Sequence, residues 1–349
     1  MLKRPTVDDS MLQRSESLWD CTILSLGSIL IVALAIFFAQ ISSLFTIFQK
    51  PESQFSSTGD NRGVTRLIVG DDFGNLKEHV AKFVDRNEPF VCRSCIDSMK
   101  LKFWSHDENL REVVSDDRTS LPIRIGRKEN NDRTMFARRS DLAPNSEESI
   151  YREHEMSFHD FLSIYDELLE NDLHYYGAQI NVIESLPSLL PHIQRSAPPA
   201  AILNAIGPTP PPKYRPISIY MGKGPLTTQT HYDSLENVVC VVAGGSKTFD
   251  LYDPATSSLW LYVDRPKHGN ASPVTTQKKF PLSKFAIPST VTLHPGDCLY
   301  LPVYWYHAVS TSAHRTISIN WWRRPDHLKM SALENFFCGR ENELGRAKC

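Results

Sequence analysis

The sequence feature that most constrains the fold is a histidine and an aspartate two residues apart, followed much later by a second histidine. His231 and Asp233 lie in THYDSLENVVCVV, and His307 lies in LYLPVYWYHAVST. Residues two apart on a β-strand share a face, so His231 and Asp233 can both point into a barrel. Strands far apart in sequence become neighbours in a jelly roll. The pattern predicts a mainly β fold, a double-stranded β-helix with flanking helices.

Two imidazoles and one carboxylate form the facial triad, the ligand set that holds non-haem Fe(II) and leaves three coordination positions open. A His-x-Asp pair alone is common by chance, and a lone histidine in an aromatic strand is more often a core residue. Their combination on predicted strands indicates a metal site at His231, Asp233 and His307. His314, in TSAHR, and His327 are competing candidates for the distal ligand.

Further residues complete a pattern around the triad. They are Thr228, three residues before His231; Asn237, in HxDxxxN; Lys247, in GGSKTFDLYDP; Asn320, in ISINWW; and Tyr175, in HYYGAQ. From about Arg86 to His327 the chain resembles the cupin-type jumonji-C (JmjC) oxygenases, and most of all their small lysyl hydroxylases. One departure is the turn Gly244–Lys247, which is one residue longer than the usual Gly-x-Lys of that family.

The resemblance implies a chemistry and a set of roles. The triad His231, Asp233 and His307 would be catalytic and would bind Fe(II), with 2-oxoglutarate and O₂ as co-substrates. The residues expected to contact 2-oxoglutarate are Thr228, Lys247, Tyr175, Asn237 and Asn320. The expected reaction is hydroxylation of a protein or peptide side chain, with lysine a candidate. The alternatives are a demethylase or peptidase acting on methylated lysine or arginine tails, and a catalytically silent binding scaffold.

The charge balance bears on the partners. The chain has 38 Lys and Arg against 40 Asp and Glu, a formal net charge of −2. A basic surface for nucleic acid is therefore not expected. Cysteine usage leaves several readings open. Cys92 and Cys95 could form a disulfide, a redox pair or half a zinc site, or Cys92 could lie in a buried strand; Cys338 and Cys349 could also form disulfides.

The N-terminal region predicts a membrane anchor. Residues 22–48 contain no charged side chain and are long enough to cross a bilayer as a helix. The predicted organisation is a polar tail (1–21), a transmembrane helix (22–48), a linker (49–63), the catalytic domain (64–328), and a C-terminal helix and tail (329–349) that could form a homodimer contact. The sequon Asn270-Ala-Ser272 and the cysteines favour a single-pass protein of the endoplasmic reticulum with a luminal catalytic domain.

Periodicity predicts several elements within the domain. Helices are expected at Asn75–Asn87, Trp104–Val114 and Met156–Leu169, and strands at Tyr175–Asn181, Pro216–Met221 and Ile317–Trp322. Proline-rich stretches at Leu186–Ile193 and Pro198–Pro212 are expected to be irregular, and the polar loop Asp264–Lys279 is expected to border the substrate channel.

Overall fold

The structure is a computed structural model of the whole chain. It describes residues 65–68, 76–115, 119–127, 134–136, 151–165, 173–257, 260–261, 270–272, 274 and 280–325. These residues all belong to one compact unit, Asn61–Cys349. The predicted tail, linker and C-terminal helix, with its dimer contact, and Cys338 and Cys349 lie outside the described residues.

The described residues form strands β1 to β14 and short helices. The strands are β1 (Thr65–Ile68), β2 (Phe90–Arg93), β3 (Ser120–Arg127), β4 (Thr134–Phe136), β5 (Tyr151–Ser157), β6 (Leu173–Asn181), β7 (Ile217–Lys223), β8 (Leu226–Thr228), β9 (Glu236–Gly244), β10 (Lys247–Tyr252), β11 (Ser289–Leu293), β12 (Cys298–Leu301), β13 (Tyr306–Thr311) and β14 (Arg315–Arg323). The α-helices are α1 (Leu76–Asp85), α2 (Ser98–Leu101), α3 (Asp107–Val113), α4 (Phe158–Ile164), α5 (Val182–Ser185), α6 (Leu190–Arg195), α7 (Ala200–Ile206) and α8 (Pro254–Ser257).

The strands form two sheets. The larger sheet has the order β1-β2-β12-β9-β14-β7-β6-β3-β5, and the smaller has the order β11-β10-β13-β8-β4. Pairing is antiparallel except between β1 and β2 and between β4 and β8. Sequence neighbours such as β9 and β10 therefore lie in different sheets, whereas distant strands such as β9 and β14 are paired. This arrangement agrees with the predicted jelly roll.

Strand β9 shows how the layers are divided. Its odd residues Val239 and Val241 pack between the two sheets, against Phe249 and Leu251 of β10. Its even residues, which include Cys240, belong to a second core shared with the helices. Because both faces of β9 are covered, the strand reads ENVVCVVAG without polar alternation. The larger sheet is thus the middle layer between the helices and the smaller sheet.

The predicted helices and strands are found, with shifted boundaries. Helix α4 is shorter than predicted, and Ser157 caps it by accepting a hydrogen bond from the Asp160 amide at 3.0 Å. The expectation of irregular structure was wrong for the two proline-rich stretches. They contain the short helices α6 and α7, because the prolines stand at the starts of the helices, where the missing N–H is no cost.

Two disulfides lie in the core that the large sheet shares with the helices. Cys92 is bonded to Cys95, one of the alternatives that the sequence left open. Cys240 is bonded to Cys298, at a sequence separation of 58, and the bond joins β9 to β12. Cys298 also lies opposite Cys92 on β2, so the cysteines occupy adjacent positions across three strands.

The predicted membrane location was wrong. In the part of the chain that the structure describes, no helix is long and apolar enough to cross a bilayer. Helix α1 has 10 residues, hence about 15 Å of length against about 30 Å of hydrocarbon. Residues 22–48 themselves lie outside the described residues.

A polar cluster ties the helical layer to β14. Arg315, at the start of β14, is ion-paired with Asp107 of α3 and donates to the backbone oxygen of Trp104 at 3.0 Å. Tyr165 directly follows α4, and its hydroxyl contacts both Asp107 and Arg315. Because β14 also carries residues of the candidate site, this cluster fixes one wall of the site against the helices.

We expect Asp107→Ala to lower the free energy of unfolding by about 2 kcal/mol, between the values typical of exposed and buried ion pairs, since it leaves Arg315 half-buried without its carboxylate. Glu108→Ala is the matched control, because Glu108 is also acidic, stands next in the same helix and is exposed. Urea denaturation measures both. Equal losses in the two variants would contradict the role given to Asp107.

Candidate metal centre

The structure brings His231, Asp233 and His307 together. Ligand atoms of the three side chains all lie within 4.8 Å of one another. His307 Nε2 is 3.5 Å from Asp233 Oδ2, and the two imidazole rings have centroids 4.3 Å apart. Two imidazole nitrogens and one carboxylate oxygen at this separation fit the facial donor set of a divalent metal such as Fe(II).

Backbone hydrogen bonds set this geometry. The amide of His231 donates to the His307 carbonyl at 3.0 Å, and the amide of His307 donates back to the His231 carbonyl at 2.7 Å. The amide of Tyr304, in the turn before β13, donates to the Asp233 carbonyl at 2.9 Å. The ligand residues are therefore fixed through their own main chain as well as through their side chains.

The sequence analysis expected His231 and Asp233 to lie on a β-strand, and the structure places them between two strands. Strand β8 ends at Thr228 and β9 begins at Glu236, and His231 lies between them in isolated bridges to Ala271 and His307. Regular pairing of β8 with β13 occurs at Thr227 and Ser310 and does not continue through this segment. The isolated bridge and the Tyr304 contact replace the strand ladder.

Both histidines present the same nitrogen to the centre. His231 Nδ1 lies 2.7 Å from the Gln229 carbonyl oxygen, and His307 Nδ1 lies 2.9 Å from the Trp305 carbonyl oxygen. A carbonyl can only accept, so each Nδ1 carries the proton and each Nε2 keeps a lone pair for a metal. Burial lowers the pKa of His307 to about 4, which also favours the neutral imidazole.

Beside the triad a cavity opens between the two sheets. Lys247, the first residue of β10, lies in its wall and is 3% exposed. Its ammonium donates to Ser318 Oγ of β14 at 2.6 Å and lies over the Tyr220 ring, 5.2 Å from the centroid. Burial lowers the pKa of Lys247 to about 7. A carboxylate entering this cavity would restore the charged form of the lysine.

The two predicted asparagines also line this cavity. Asn237 is the second residue of β9, and Asn320 lies on β14. The Oδ1 atoms of both are buried and have no hydrogen-bond partner in the described part of the chain. Buried polar atoms are normally paired, so these two oxygens mark a place that suits a polar ligand. Thr228 lines the cavity as well, and its hydroxyl accepts from the Val309 amide at 2.9 Å.

Of the two adjacent tyrosines on β6, the structure places Tyr176 in the cavity wall, whereas the sequence analysis expected Tyr175. Tyr176 lines the cavity, and Lys247 Nζ lies 5.9 Å from its ring centroid. Tyr175 packs against the core that the sheet shares with the helices. Neighbouring residues on β6 face opposite sides of the sheet, so HYYGAQ offered two candidates of which only one can face the cavity.

The longer turn before Lys247 is accommodated at Gly244. Gly244 ends β9 with φ +81°, and a Cβ there would meet the Arg315 carbonyl oxygen. The backbone can therefore turn against β14, and Gly245 and Ser246 connect to Lys247. The extra residue lies in this connection and leaves the Lys247 side chain in the cavity.

Sequence reasoning missed Tyr220, Gln179 and Arg124, which also line the cavity. Gln179 has φ 54° and lies where the pairing of β6 with β7 shifts register. That irregularity has no clear signature in HYYGAQIN. Tyr220 and Arg124 alternate with apolar residues in ISIYM and PIRIG, and this alternation is the one signal that could have placed them on the inner face.

The sequon used as a cue for the lumen belongs to this site. Asn270 lines the cavity and its amide nitrogen donates to the Tyr232 carbonyl at 2.6 Å. Ser272 is fully buried and donates to the Leu261 carbonyl. A glycosylation acceptor needs an exposed loop, so this arrangement removes the cue. The rest of the predicted loop 264–279 lies largely outside the described residues.

Comparison with known proteins agrees with the fold. The cupin-like domain family matches residues 76–327. This match covers well over half of the 349 residues, and the chain therefore belongs to the cupin-like domain family.

Curated relatives refine this class. The chain is 27% identical over 165 residues to the human bifunctional peptidase and (3S)-lysyl hydroxylase JMJD7, covering 41% of this chain and 50% of the relative. It is 27% identical over 119 residues to lysine-specific demethylase JMJ31 of Arabidopsis thaliana, covering 32% and 21%. It is 29% identical over 110 residues to Jumonji C domain-containing protein 5 of Drosophila melanogaster, covering 30% and 27%. The names of these relatives are those of a lysyl hydroxylase and peptidase, a lysine demethylase and a jumonji-C domain protein, and the chain spans half or less of the length of each.

We expect His231→Ala and Asp233→Ala to abolish binding of one Mn(II) per chain, used as an air-stable probe for Fe(II), because two remaining ligands hold the ion poorly. His314→Ala is the control, since His314 is exposed and lies outside the cluster. Electron paramagnetic resonance titration counts free and bound Mn(II). Loss of binding in the His314 variant would reopen the choice of distal ligand.

Proposed function

We propose that this protein is an Fe(II)- and 2-oxoglutarate-dependent oxygenase that hydroxylates a side chain of a protein substrate. The observation that carries the proposal is the joint position of the His–Asp–His cluster and buried Lys247 in one cavity. A metal cluster alone would suit many cupins. The lysine adds a site for the far carboxylate of a co-substrate that is bound to the same metal.

The metal ligands and Lys247 have separate roles in the proposed reaction. His231, Asp233 and His307 would hold Fe(II) on one face, and each histidine is oriented by its own Nδ1–H bond to a carbonyl. Bound iron supplies the activation of O₂ that the side chains cannot perform. Lys247 binds the distal carboxylate of 2-oxoglutarate as a buried cation.

Hydroxyl and amide groups complete the co-substrate site. Thr228 and Tyr176 line the cavity with Lys247, which supports a role for both hydroxyls in binding the same carboxylate. Asn237 and Asn320 offer amide groups with unsatisfied oxygens beside the metal ligands. The apolar residues Val239, Phe249 and Leu301 also line the cavity and are buried, which lowers the local dielectric.

A protein side chain is the substrate that the relatives favour. One relative is named for lysyl hydroxylation and peptidase activity and another for lysine demethylation. Lysine is thus one candidate target that their names suggest for this chain. Demethylation remains the second candidate, and the reaction product separates the two.

The test is conversion of 2-oxoglutarate to succinate by the purified protein with Fe(II) and ascorbate. His231→Ala should lose at least about 100-fold of the turnover, since the metal supplies the hard step, and His314→Ala should keep it. Full turnover by His231→Ala would contradict the proposal. Mass spectrometry of captured cell peptides then assigns the reaction: gain of one oxygen means hydroxylation, and loss of methyl groups means demethylation.

The lowered pKa of Lys247 predicts that the affinity for 2-oxoglutarate depends on pH. Because its pKa lies near 7 when the cavity is empty, Lys247 is charged below pH 7 and neutral above it. Binding of a dianion requires the charged form, so the affinity for 2-oxoglutarate should fall above pH 7, approaching about tenfold per pH unit. Calorimetry of the Mn(II) protein at pH 8, in buffers of different ionisation enthalpy, should show uptake of about one proton per 2-oxoglutarate.

Lys247→Met should bind 2-oxoglutarate weakly and without this proton uptake. Lys284→Met is the matched control because Lys284 is exposed and lies outside the cavity. Unchanged proton uptake in Lys247→Met would mean that another group titrates on binding.

A further inference from the structure

Lys247 is a buried amine without a carboxylate partner. The residue is 3% exposed, and within the described part of the chain no Asp or Glu pairs with it. The hydrogen bond that Nζ donates, at 2.6 Å, goes to the neutral hydroxyl of Ser318. The rings of Tyr220 and Tyr176 lie 5.2 and 5.9 Å from Nζ, and such contacts offset only part of the free-energy cost of burying a charge. The environment of the empty cavity therefore favours the neutral amine.

The neutral form makes Lys247 a nucleophile near neutral pH. Burial lowers the pKa of Lys247 to about 7, so most of the amine has a free lone pair at pH 8. An exposed lysine, with an ordinary pKa of about 10.4, is almost wholly protonated at that pH. A desolvated amine of this kind attacks small electrophiles that an exposed lysine leaves unchanged. The other ionisable side chains that line the cavity are those of Asp233, His231, His307, Arg124, Tyr176 and Tyr220.

The cavity has room and a hydrogen-bond donor for a small addition to Nζ. Its volume is about 130 Å³, whereas about 15 Å³ is enough for one water molecule. Thr228 lines the same cavity, and its hydroxyl accepts from the Val309 amide at 2.9 Å, which leaves the hydroxyl hydrogen to donate to an anion. The bond from Nζ to Ser318 needs only one hydrogen on the nitrogen. A small anionic group on Nζ can thus be accommodated while the existing contact is kept.

Carbon dioxide is the electrophile that suits this amine. It is small and uncharged, and its reaction with an amine needs no oxidant, reductant or leaving group. The Nζ lone pair forms a bond to the carbon of CO₂, the electron pair of one C–O π bond moves to oxygen, and one proton leaves Nζ for the solvent. The product is a lysine carbamate, which carries a negative charge.

We propose that Lys247 is a carbamylation site, at which CO₂ adds to Nζ when 2-oxoglutarate is absent, and that the carbamate and 2-oxoglutarate exclude each other. The ammonium form of Lys247 attracts the distal carboxylate of 2-oxoglutarate, whereas the carbamate repels it. The exclusion, but not the site itself, rests on the proposed function. That function also supplies CO₂, since oxidative decarboxylation of 2-oxoglutarate releases it in this cavity; dissolved CO₂ is the other source.

The first test locates the carbamate on the full-length Mn(II) protein at pH 8 in ¹³C-bicarbonate. Triethyloxonium converts carbamates into stable ethyl esters, and peptide mass spectrometry then identifies the labelled lysine. The label on Lys247 should exceed that on the exposed Lys284 at least about tenfold, because an exposed amine is almost wholly protonated at this pH. Saturating 2-oxoglutarate should remove most of the label from Lys247 and leave Lys284 unchanged.

The second test measures the affinity for 2-oxoglutarate with and without bicarbonate, at pH 8 and constant ionic strength. Calorimetry of the unaltered Mn(II) protein should show weaker binding in bicarbonate, with an apparent Kd that rises about twofold when half of the chains carry the carbamate. Lys247→Arg keeps a cation at this position but forms no carbamate, so its Kd should not respond to bicarbonate. Lys284→Met, changed outside the cavity, should respond as the unaltered protein does. Thermal melts by circular dichroism confirm that both variants are folded.

Labelled co-substrate distinguishes the two sources of CO₂. The Fe(II) protein is supplied with 2-oxoglutarate that carries ¹³C in its first carboxylate, and Lys247 is trapped after the co-substrate is consumed. Label on Lys247 in this experiment would show that the reaction itself supplies the CO₂. Label from bicarbonate alone would assign the site to dissolved CO₂.

Two results would overturn the inference by labelling: label on Lys247 no greater than on Lys284, and label that persists under saturating 2-oxoglutarate in a protein shown by calorimetry to bind it. A Kd that responds equally to bicarbonate in the unaltered protein and in Lys247→Arg would also overturn it. Failure of the Fe(II) protein to convert 2-oxoglutarate removes the proposed function, and the bicarbonate labelling of Lys247 is then judged by itself. Normal conversion with an unlabelled Lys247 removes only the inference.

Discussion

The reciprocal hydrogen bonds between the backbones of His231 and His307 are the constraint on which the site depends. They join two segments that are far apart in sequence, and they fix the distance between the two imidazoles before any side-chain contact is made. Each ring is then oriented by a carbonyl two residues earlier in its own segment. The candidate metal ligands are therefore preorganised by main-chain geometry, which would lower the cost of ordering them around an ion.

The layered architecture separates stability from chemistry. One face of the large sheet packs with the helices, where the disulfides lie and where the contacts of Arg315 reach α3. The opposite face meets the small sheet, with an apolar core at one end and the polar cavity beside it. Burial of Lys247 in this second space is expensive for a charged group. This free-energy cost is tolerated because the large sheet, which forms part of the cavity wall, is stabilised on its other face by the helical layer.

Residues that belong to a motif or a periodic pattern could be predicted from the sequence. Residues whose position depends on how strands pair in three dimensions could not. The triad residues, Lys247 and the two asparagines could be found because their residue types and spacings carry the pattern, and the structure brings them into one cavity. Tyr175 and Tyr176 could not be separated, because adjacent residues differ only in which face of β6 they occupy. Arg124 could not be placed in the cavity wall, because its position there depends on the pairing of β3 with β6.

Other failures had different physical causes. Cys240 and Cys298 meet only through the pairing of β9 with β12, which no local pattern reveals. The membrane location was inferred from hydropathy, with a sequon as an added cue; in the structure Asn270 and Ser272 bond inside the domain. Hydropathy and sequons report composition, whereas exposure is a property of the fold.

The alternation of β9 has a consequence for how such a domain can change over time. Asn237 and Val239 face the cavity, and Cys240 between Val239 and Val241 faces the helices. Substitutions on one side can accumulate without altering the other, so the chemistry and the scaffold can drift independently. Gain or loss of a single residue within the strand would instead exchange the two sets of side chains, so that Cys240 would turn towards the cavity and Asn237 towards the core packed on the helices. The number of residues in β9 is consequently less free to vary than the residue types within it.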